Sequence, residues 1–314
     1  MIVITGGAGF IGSNLVRALN DRGRSDLLVV DDLEDGRKFR NLADREIADL
    51  LDKDAFLELV ESDGLPGEIE AVFHEGACSN TMEWDGRYLM RVNYEYSKKL
   101  LHYCAGKRIP FLYASSAAVY GSGEIFLEER RYEAPINLYA YSKFLFDQYV
   151  RRQLPELANQ VVGLRYFNVY GPRETHKGTM TSVAYKAHRQ ILETGRIELF
   201  EGTDGYGDGE QRRDFVWVDD TVSVKLWFLE HPELSGIFNV GTGRAQSFNE
   251  LARAVISHHG RGEIVYVPLP ENLSGSYQSF TEADLSALRK VGYTAPFHSV
   301  EEAVPLYLSW LEDR

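Results

Sequence analysis

The chain has 314 residues, 44% hydrophobic and 26% charged, with 34 Lys and Arg against 47 Asp and Glu for a formal net charge of −13. This length supports one large domain or two modest ones, and the acidic balance excludes the basic face that a nucleic-acid partner needs. No apolar run approaches the roughly 18 residues of a membrane span, no basic leader precedes the first apolar run, and two cysteines, Cys78 and Cys104, are too few for a disulfide framework. The expectation is a cytoplasmic protein with no membrane partner, two buried and inert thiols, and no metal site.

Ile2 to Thr5 is a short apolar run that breaks into glycines and resumes with helical periodicity at Leu15, Val16 and Leu19. The pattern predicts a strand, a tight turn and a helix. Gly7, Gly9 and Gly12 have G-x-G-x-x-G spacing, and Gly6, Gly9 and Gly12 give a second register. Such glycines make the turn, let backbone amides approach a pyrophosphate and let the helix pack on the strand. A second apolar run, Leu27 to Val30, ends in Asp31, about 20 residues beyond the glycines, where a ribose-binding acid belongs.

Glu34 to Asp54 is charged, and Ile47 to Asp49 reads as a short third strand, with Asp49 either reaching an adenine edge or merely flanking a helix. Ala71 to His74 predicts a fourth strand, and the loop Glu75, Gly76, Ala77, Cys78 and Ser79 after it belongs beneath the nucleotide. H-E-x-x-H fails because position 78 is cysteine, so His74 is assigned a structural role. One long helix through Tyr88, Leu89, Asn93, Tyr96, Leu100 and Leu101 leads to a fifth strand over Ile109 to Tyr113. Alternating strand and helix signals up to about residue 165 call for a Rossmann-type, doubly wound parallel α/β sheet. The domain expectation is 1–167, with crossover segments near 214–240, for the dinucleotide, and 168–213 with 241–314 for a smaller α/β substrate-binding domain.

Tyr139 and Lys143 lie four apart at the start of a helix, so phenol and ammonium share one face. A nearby cation favours phenolate and lowers the phenol's pKa, so that Tyr139 can take a hydroxyl proton while the carbon gives up hydride. Ser116, after the fifth strand, can hydrogen-bond the same oxygen. Tyr141 faces elsewhere and is assigned to packing.

Together with Arg165 to Pro172 and Arg213 to Asp220, these motifs resemble the extended short-chain dehydrogenase/reductase family acting on nucleotide sugars, over nearly the whole chain. Within it, His74 to Ser79, Glu83 to Gly86 and His176 to Met180 resemble the branch of epimerases that invert C6 of an ADP-heptose. The resemblance implies a catalytic group of Tyr139, Lys143 and Ser116, with Lys177 as a second acid/base on the other face of the substrate carbon. It also implies NADP as cofactor. Asp31 and Asp32 taken alone suit NAD, the alternative, while Lys38 and Lys53 could supply the charge that a 2′-phosphate needs.

Cofactor contacts are implied for Phe10, Ile11, Asp31, Asp32, Lys38, Lys53, Glu75 to Ser79, Lys143, Val169 and Lys177. Val92 stands where the family can present an Asn, so Asn93 takes that place. Substrate contacts are implied for Ser116, Asn168, Thr179, Phe200, Glu201, Gly202, Thr203, Arg213 and Tyr277, and Lys186 occupies the position of an expected His. A guanidinium at 213 can fork onto a diphosphate. A dehydratase of this family would carry Asp-Glu after the catalytic Ser, where Ala117 and Ala118 stand. A non-catalytic cofactor-binding regulator could dispense with Tyr139. The resemblance further implies a homo-oligomer, with a pentamer among the arrangements, that supplies heptose to lipopolysaccharide inner core.

Overall fold

The computed structural model describes residues 1–270 and 277–313. The strands are β1 (Ile2–Thr5), β2 (Leu27–Asp31), β3 (Asp49–Asp52), β4 (Ala71–His74), β5 (Phe111–Ser116), β6 (Val161–Tyr166), β7 (Asn168–Tyr170), β8 (Arg196–Phe200), β9 (Arg212–Arg213), β10 (Phe215–Trp217), β11 (Gly236–Val240), β12 (Gln246–Ser247) and β13 (Glu263–Val267). The helices are α1 (Phe10–Asn20), α2 (Lys53–Glu61), α3 (Gly86–Leu89), α4 (Tyr96–Lys107), α5 (Leu138–Gln153), α6 (Val183–Thr194), α7 (Val218–Leu229), α8 (Phe248–His259), α9 (Ser286–Lys290) and α10 (Val300–Glu312).

Seven strands form one sheet in the order β11-β6-β5-β4-β1-β2-β3, with β1 parallel to both β2 and β4. Strand order reverses on either side of β1, which is where open α/β sheets of this kind bind ligands. β1, β2 and β4 are buried along their whole lengths, which is why they read as unbroken apolar runs. Leu28, Phe56, Leu100, Phe111 and Phe146 pack together in the core of this region.

The chain divides into two compact units, one of residues 1–119, 137–165 and 222–238, the other of 120–136, 166–221 and 239–314. The division differs from the expected one at residues 120–136, 166–167, 214–221 and 239–240. Residues 120–136 leave with the second unit, because Phe126 packs against Tyr120, Phe167 and Phe280. Residues 214–221 do so as well, because β10 pairs with β7. In the second unit β8 pairs with β13, and Tyr170, Ile191, Trp217, Val304 and Tyr307 are buried in a separate core.

Three elements differ from expectation. The third strand runs over Asp49–Asp52 instead of residues 47–49, in register with Leu28–Asp31. Asp49 therefore sits at the start of its strand, at the edge away from the glycine turn, and reaches no adenine site; Asp52 stands level with Asp31 and caps α2. The fifth strand begins at Phe111 and runs to Ser116, because Ile109 still closes the end of α4 through the Cys104 carbonyl and Pro110 has no amide to donate. The long helix runs without interruption from Gly86 to Lys107 but takes π-helical geometry over Met90–Glu95, between α3 and α4.

His74 is buried and structural. Its Nδ1 lies 2.7 Å from Thr5 Oγ1 and its Nε2 2.8 Å from Ser97 Oγ. Ser97 gives its own proton to the Asn93 carbonyl, so Nε2 of His74 is the donor and Nδ1 accepts from Thr5. Burial first, and the Lys143 charge second, push this imidazole down to about 3. A histidine kept neutral in the fold but titrating near 6.5 when unfolded costs stability as pH falls from 6.5 toward 3. Between pH 7 and pH 5 this group should remove about 2 kcal/mol; urea unfolding of His74→Gln at both pH values should show that much less acid destabilisation than the parent chain.

Candidate active site

The first unit carries a tight glycine turn between β1 and α1. Gly6 has φ +66°, and a Cβ there would lie 2.6 Å from the Gly76 amide nitrogen; one at Gly12 would lie 2.2 Å from the Gly6 carbonyl oxygen. Only glycine fits either place. α1 then starts at Phe10 behind Gly9 with no side-chain cap, and such a start offers amide hydrogens to an anion.

At the end of β2, buried Asp31 accepts from the Ala8 amide at 2.8 Å and from Lys38 Nζ at 2.9 Å. Asp32 accepts from Lys38 and Lys53, each at 2.9 Å. Burial raises the Asp31 carboxyl in spite of Lys38. Burial also works on Asp32, but the two lysines prevail and hold it below the usual range. Both ammonium groups are raised by these carboxylates against the opposing effect of burial.

The turn after β4 is clamped by Asn93. Its Oδ1 accepts from the Cys78 amide at 2.8 Å, and its Nδ2 donates to the Cys78 carbonyl and to Ser142 Oγ, each at 3.0 Å. The π turn places this side chain in the interior while Val92 stays half-buried. Cys78 is half-buried, against the expected full burial, because it lies on this turn and not in the sheet; Cys104 is buried, and burial pushes its thiol upward.

α5 begins under an Asn137 cap and carries Tyr139 and Lys143. The Ser116 hydroxyl hydrogen-bonds the Tyr139 phenol, and Lys143 Nζ donates to the Ala114 carbonyl at 2.8 Å. The expected lowering of Tyr139 by Lys143 is absent in the chain on its own. Burial raises the phenol, and Ser116 supplies the relief. Burial also lowers Lys143 to about 8, with Glu75 pulling the other way, and its ammonium is directed at a carbonyl. Tyr141 is 43% exposed and stacks on Phe144, so it packs at the surface.

Asp147, one turn beyond Lys143, is fully buried. It accepts from Tyr113 Oη and Ser115 Oγ at 2.9 Å each, and from Arg165 Nε and Nη2 at 2.8 Å.

The second unit holds a cavity of about 640 Å³. Asn168, Lys186, Phe200, Arg213 and Tyr277, half of the expected substrate set, line it together with Lys177. Val169, assigned to the cofactor, lines it too. Thr179, Glu201, Gly202 and Thr203 do not: Thr179 is exposed on the turn carrying Lys177, Glu201 and Gly202 are exposed beyond Phe200, and Thr203 accepts from Gln211 Nε2 at 3.2 Å.

Arg213 is buried between the Tyr277 and Phe248 rings, 5.1 and 5.5 Å away, and donates to the Arg212 carbonyl. No carboxylate among the described residues pairs with it. A buried guanidinium of this kind is costly unless an anion meets it. Lys177 is lowered by burial and by Lys186, and Glu174 opposes the shift.

Two residues that sequence reasoning missed hold this wall. Buried Glu174 accepts from the Ser182 amide and hydroxyl and from Tyr307 Oη. Asp214 accepts from Thr242, Gly243 and Ala283. Neither role has a local sequence signal.

A glycine cradle at the sheet's switch point, with Ser, Tyr and Lys gathered at the end of β5, defines a nicotinamide-dependent oxidoreductase fold, and the chain belongs to the NAD dependent epimerase/dehydratase family, matched over residues 2–241. Over 313 residues it is 60% identical to the ADP-L-glycero-D-manno-heptose-6-epimerase of Alkalilimnicola ehrlichii, covering 100% of this chain and 98% of that protein. The structure resembles the ADP-L-glycero-D-manno-heptose-6-epimerase of Helicobacter pylori with a TM-score of 0.86 at 30% identity, over 100% of this chain and 96% of the other. It also resembles the UDP-N-acetylglucosamine 4-epimerase of Methanobrevibacter ruminantium, with a TM-score of 0.85 at 26% identity over 99% and 98%. A nicotinamide dinucleotide is accordingly the cofactor class, and the space that Gly6 and Gly12 keep clear fits its pyrophosphate.

Removing the cation of the buried pair leaves Asp147 charged and stranded, which costs about 3–5 kcal/mol. Arg165→Met should therefore lower the urea midpoint by that equivalent; a change under about 1 kcal/mol would show that the hydroxyl donors suffice.

Proposed function

We propose that the chain converts ADP-D-glycero-D-manno-heptose to ADP-L-glycero-D-manno-heptose by inverting C6 of the heptose through a transient 6-keto sugar. The observation that carries this reading is the full-length identity to an ADP-heptose epimerase. A bound nicotinamide supplies the hydride acceptor and donor. Tyr139 moves the proton at the C6 oxygen. Its pKa, raised by burial, keeps it protonated at neutral pH, and the Ser116 hydroxyl eases the proton's loss by hydrogen-bonding the phenolic oxygen. Lys143, near 8, is mostly charged at neutral pH and supplies positive potential to this pocket. Lys177 is the second acid/base, one group serving each epimer, and its lowered pKa suits that task. Arg213 and Tyr277 hold the ADP moiety, the guanidinium taking diphosphate oxygens.

Ala117 and Ala118 carry no titratable groups, which weighs against elimination of water. The reading extends to a cytoplasmic homo-oligomer that feeds lipopolysaccharide inner-core synthesis. Tyr139→Phe should lose at least about 10²-fold in epimerisation of ADP-heptose while the purified protein still carries its dinucleotide; retained turnover would reject the assignment.

NADP is the preferred cofactor in this reading. Lys38 and Lys53 converge on Asp32 from two elements and can turn their ammonium groups onto a 2′-phosphate. Each charge-assisted contact is worth about 1.5–3 kcal/mol. The double substitution Lys38→Ala with Lys53→Ala should weaken NADP at least about 100-fold more than NAD, measured by titrating both dinucleotides into the same variant. Equal losses would count against a phosphate clamp.

A further inference from the structure

Three helices of the second unit bring together side chains that are distant in sequence, against the expectation of no metal-ligand cluster. His188 lies on α6, His259 ends α8 and Glu312 ends α10. His188 Nδ1 is 3.1 Å from His259 Nε2. Glu312 Oε1 is 3.7 Å from His259 Nδ1, and its Oε2 is 3.3 Å from His258 Nε2. One ligand atom from each of His188, His259 and Glu312 lies within 4.8 Å of the others.

We propose that His188, His259 and Glu312 form a binding site for a divalent ion of the zinc class, which ties α10 to α6 and α8. Two facing imidazole nitrogens repel unless a proton or a cation lies between them. Their separation is close to the roughly 3.3 Å expected between two nitrogens bound to a tetrahedral ion at 2.0–2.1 Å. His188 is buried and His259 half-buried, and a neutral imidazole offers one ring lone pair to a metal. Imidazole with carboxylate selects zinc over magnesium or calcium, which take oxygen ligands.

The third ligand must move. Glu312 now sits at the Nδ1 edge of His259, and the ion belongs at the Nε2 edge. Its side chain is 46% exposed in the last turn of its helix, and the proposal requires a rotation about its own bonds to carry the carboxylate across. In its present position the second carboxylate oxygen lies 3.3 Å from His258 Nε2. Arg189 and Arg261 oppose a cation here, although Arg189 is engaged by Glu193. α6 also presents Lys186 to the cavity, so the ion would brace a substrate-binding helix from its other side.

The test uses the full-length protein after chelator treatment, titrated with Zn²⁺ and separately with Mg²⁺ by calorimetry, and with Co²⁺ by visible absorption. The expected result is one Zn²⁺ per chain, no heat with Mg²⁺, tetrahedral cobalt absorption, and a thermal transition raised by Zn²⁺. His259→Gln should abolish uptake and Glu312→Gln weaken it about 10-fold or more, both with unchanged epimerase turnover. His102→Gln, in the first unit, should bind as the parent does. No saturable uptake by the parent chain, or unaltered affinity in His259→Gln and Glu312→Gln, would overturn the site and leave a proton-sharing imidazole pair. Because Glu312 is at an exposed helix end, its variant remains informative even if a histidine substitution fails to fold.

Discussion

The carboxylate of Asp147 is the fixed point of the first unit. A charge with no exposure is tolerated only when every lone pair is met, and here a guanidinium and two hydroxyls meet them. The three donors come from β5 and β6, and the acceptor comes from α5, so one group fixes two strands and the helix that carries Tyr139 and Lys143 in a single register. Gly163 makes room for it, since a Cβ there would strike the Tyr113 hydroxyl. The separation of Ser116 from Tyr139 follows from this bond set rather than from the residues that would touch substrate.

A second chain of hydrogen bonds does the same for the turn after β4. It runs from the Gly76 amide through Thr5 and His74 to Ser97 and the Asn93 carbonyl, and the Asn93 side chain then holds both faces of Cys78 and reaches Ser142 on α5. The glycine turn, the turn after β4 and α5 thus share one polar network. Its members satisfy one another, and its buried links, His74, Ser97 and Asn93, add rigidity.

The parts of the fold that were legible in the sequence are those with local causes. β1, β2 and β4 are covered on both faces and so appear as continuous apolar runs, and Tyr139 and Lys143 announce themselves by helical spacing. β3 lies at the edge of the sheet with half of it exposed, and its Asp-Leu-Leu-Asp pattern is too weak to fix a register. Arg213 could be named in advance, but Asp214 and Glu174 could not, since their partners lie far along the chain. The raised phenol of Tyr139 was also hidden: helical spacing places an ammonium nearby but does not reveal that a strand carbonyl claims it. The clustering of His188, His259 and Glu312 depends wholly on how three helices pack.

The π turn over Met90–Glu95 gives the segment one residue more than a regular helix would need, and that surplus is what turns Asn93 inward. An α-helix rotates about 100° per residue. Excising a single position there would restore ideal helical geometry while swinging everything upstream by more than a quarter of a circle relative to Ser97. Perfecting the secondary structure would therefore dismantle the tertiary one, and a one-residue length change in this short stretch is a sharper marker of lost architecture than most side-chain replacements around it.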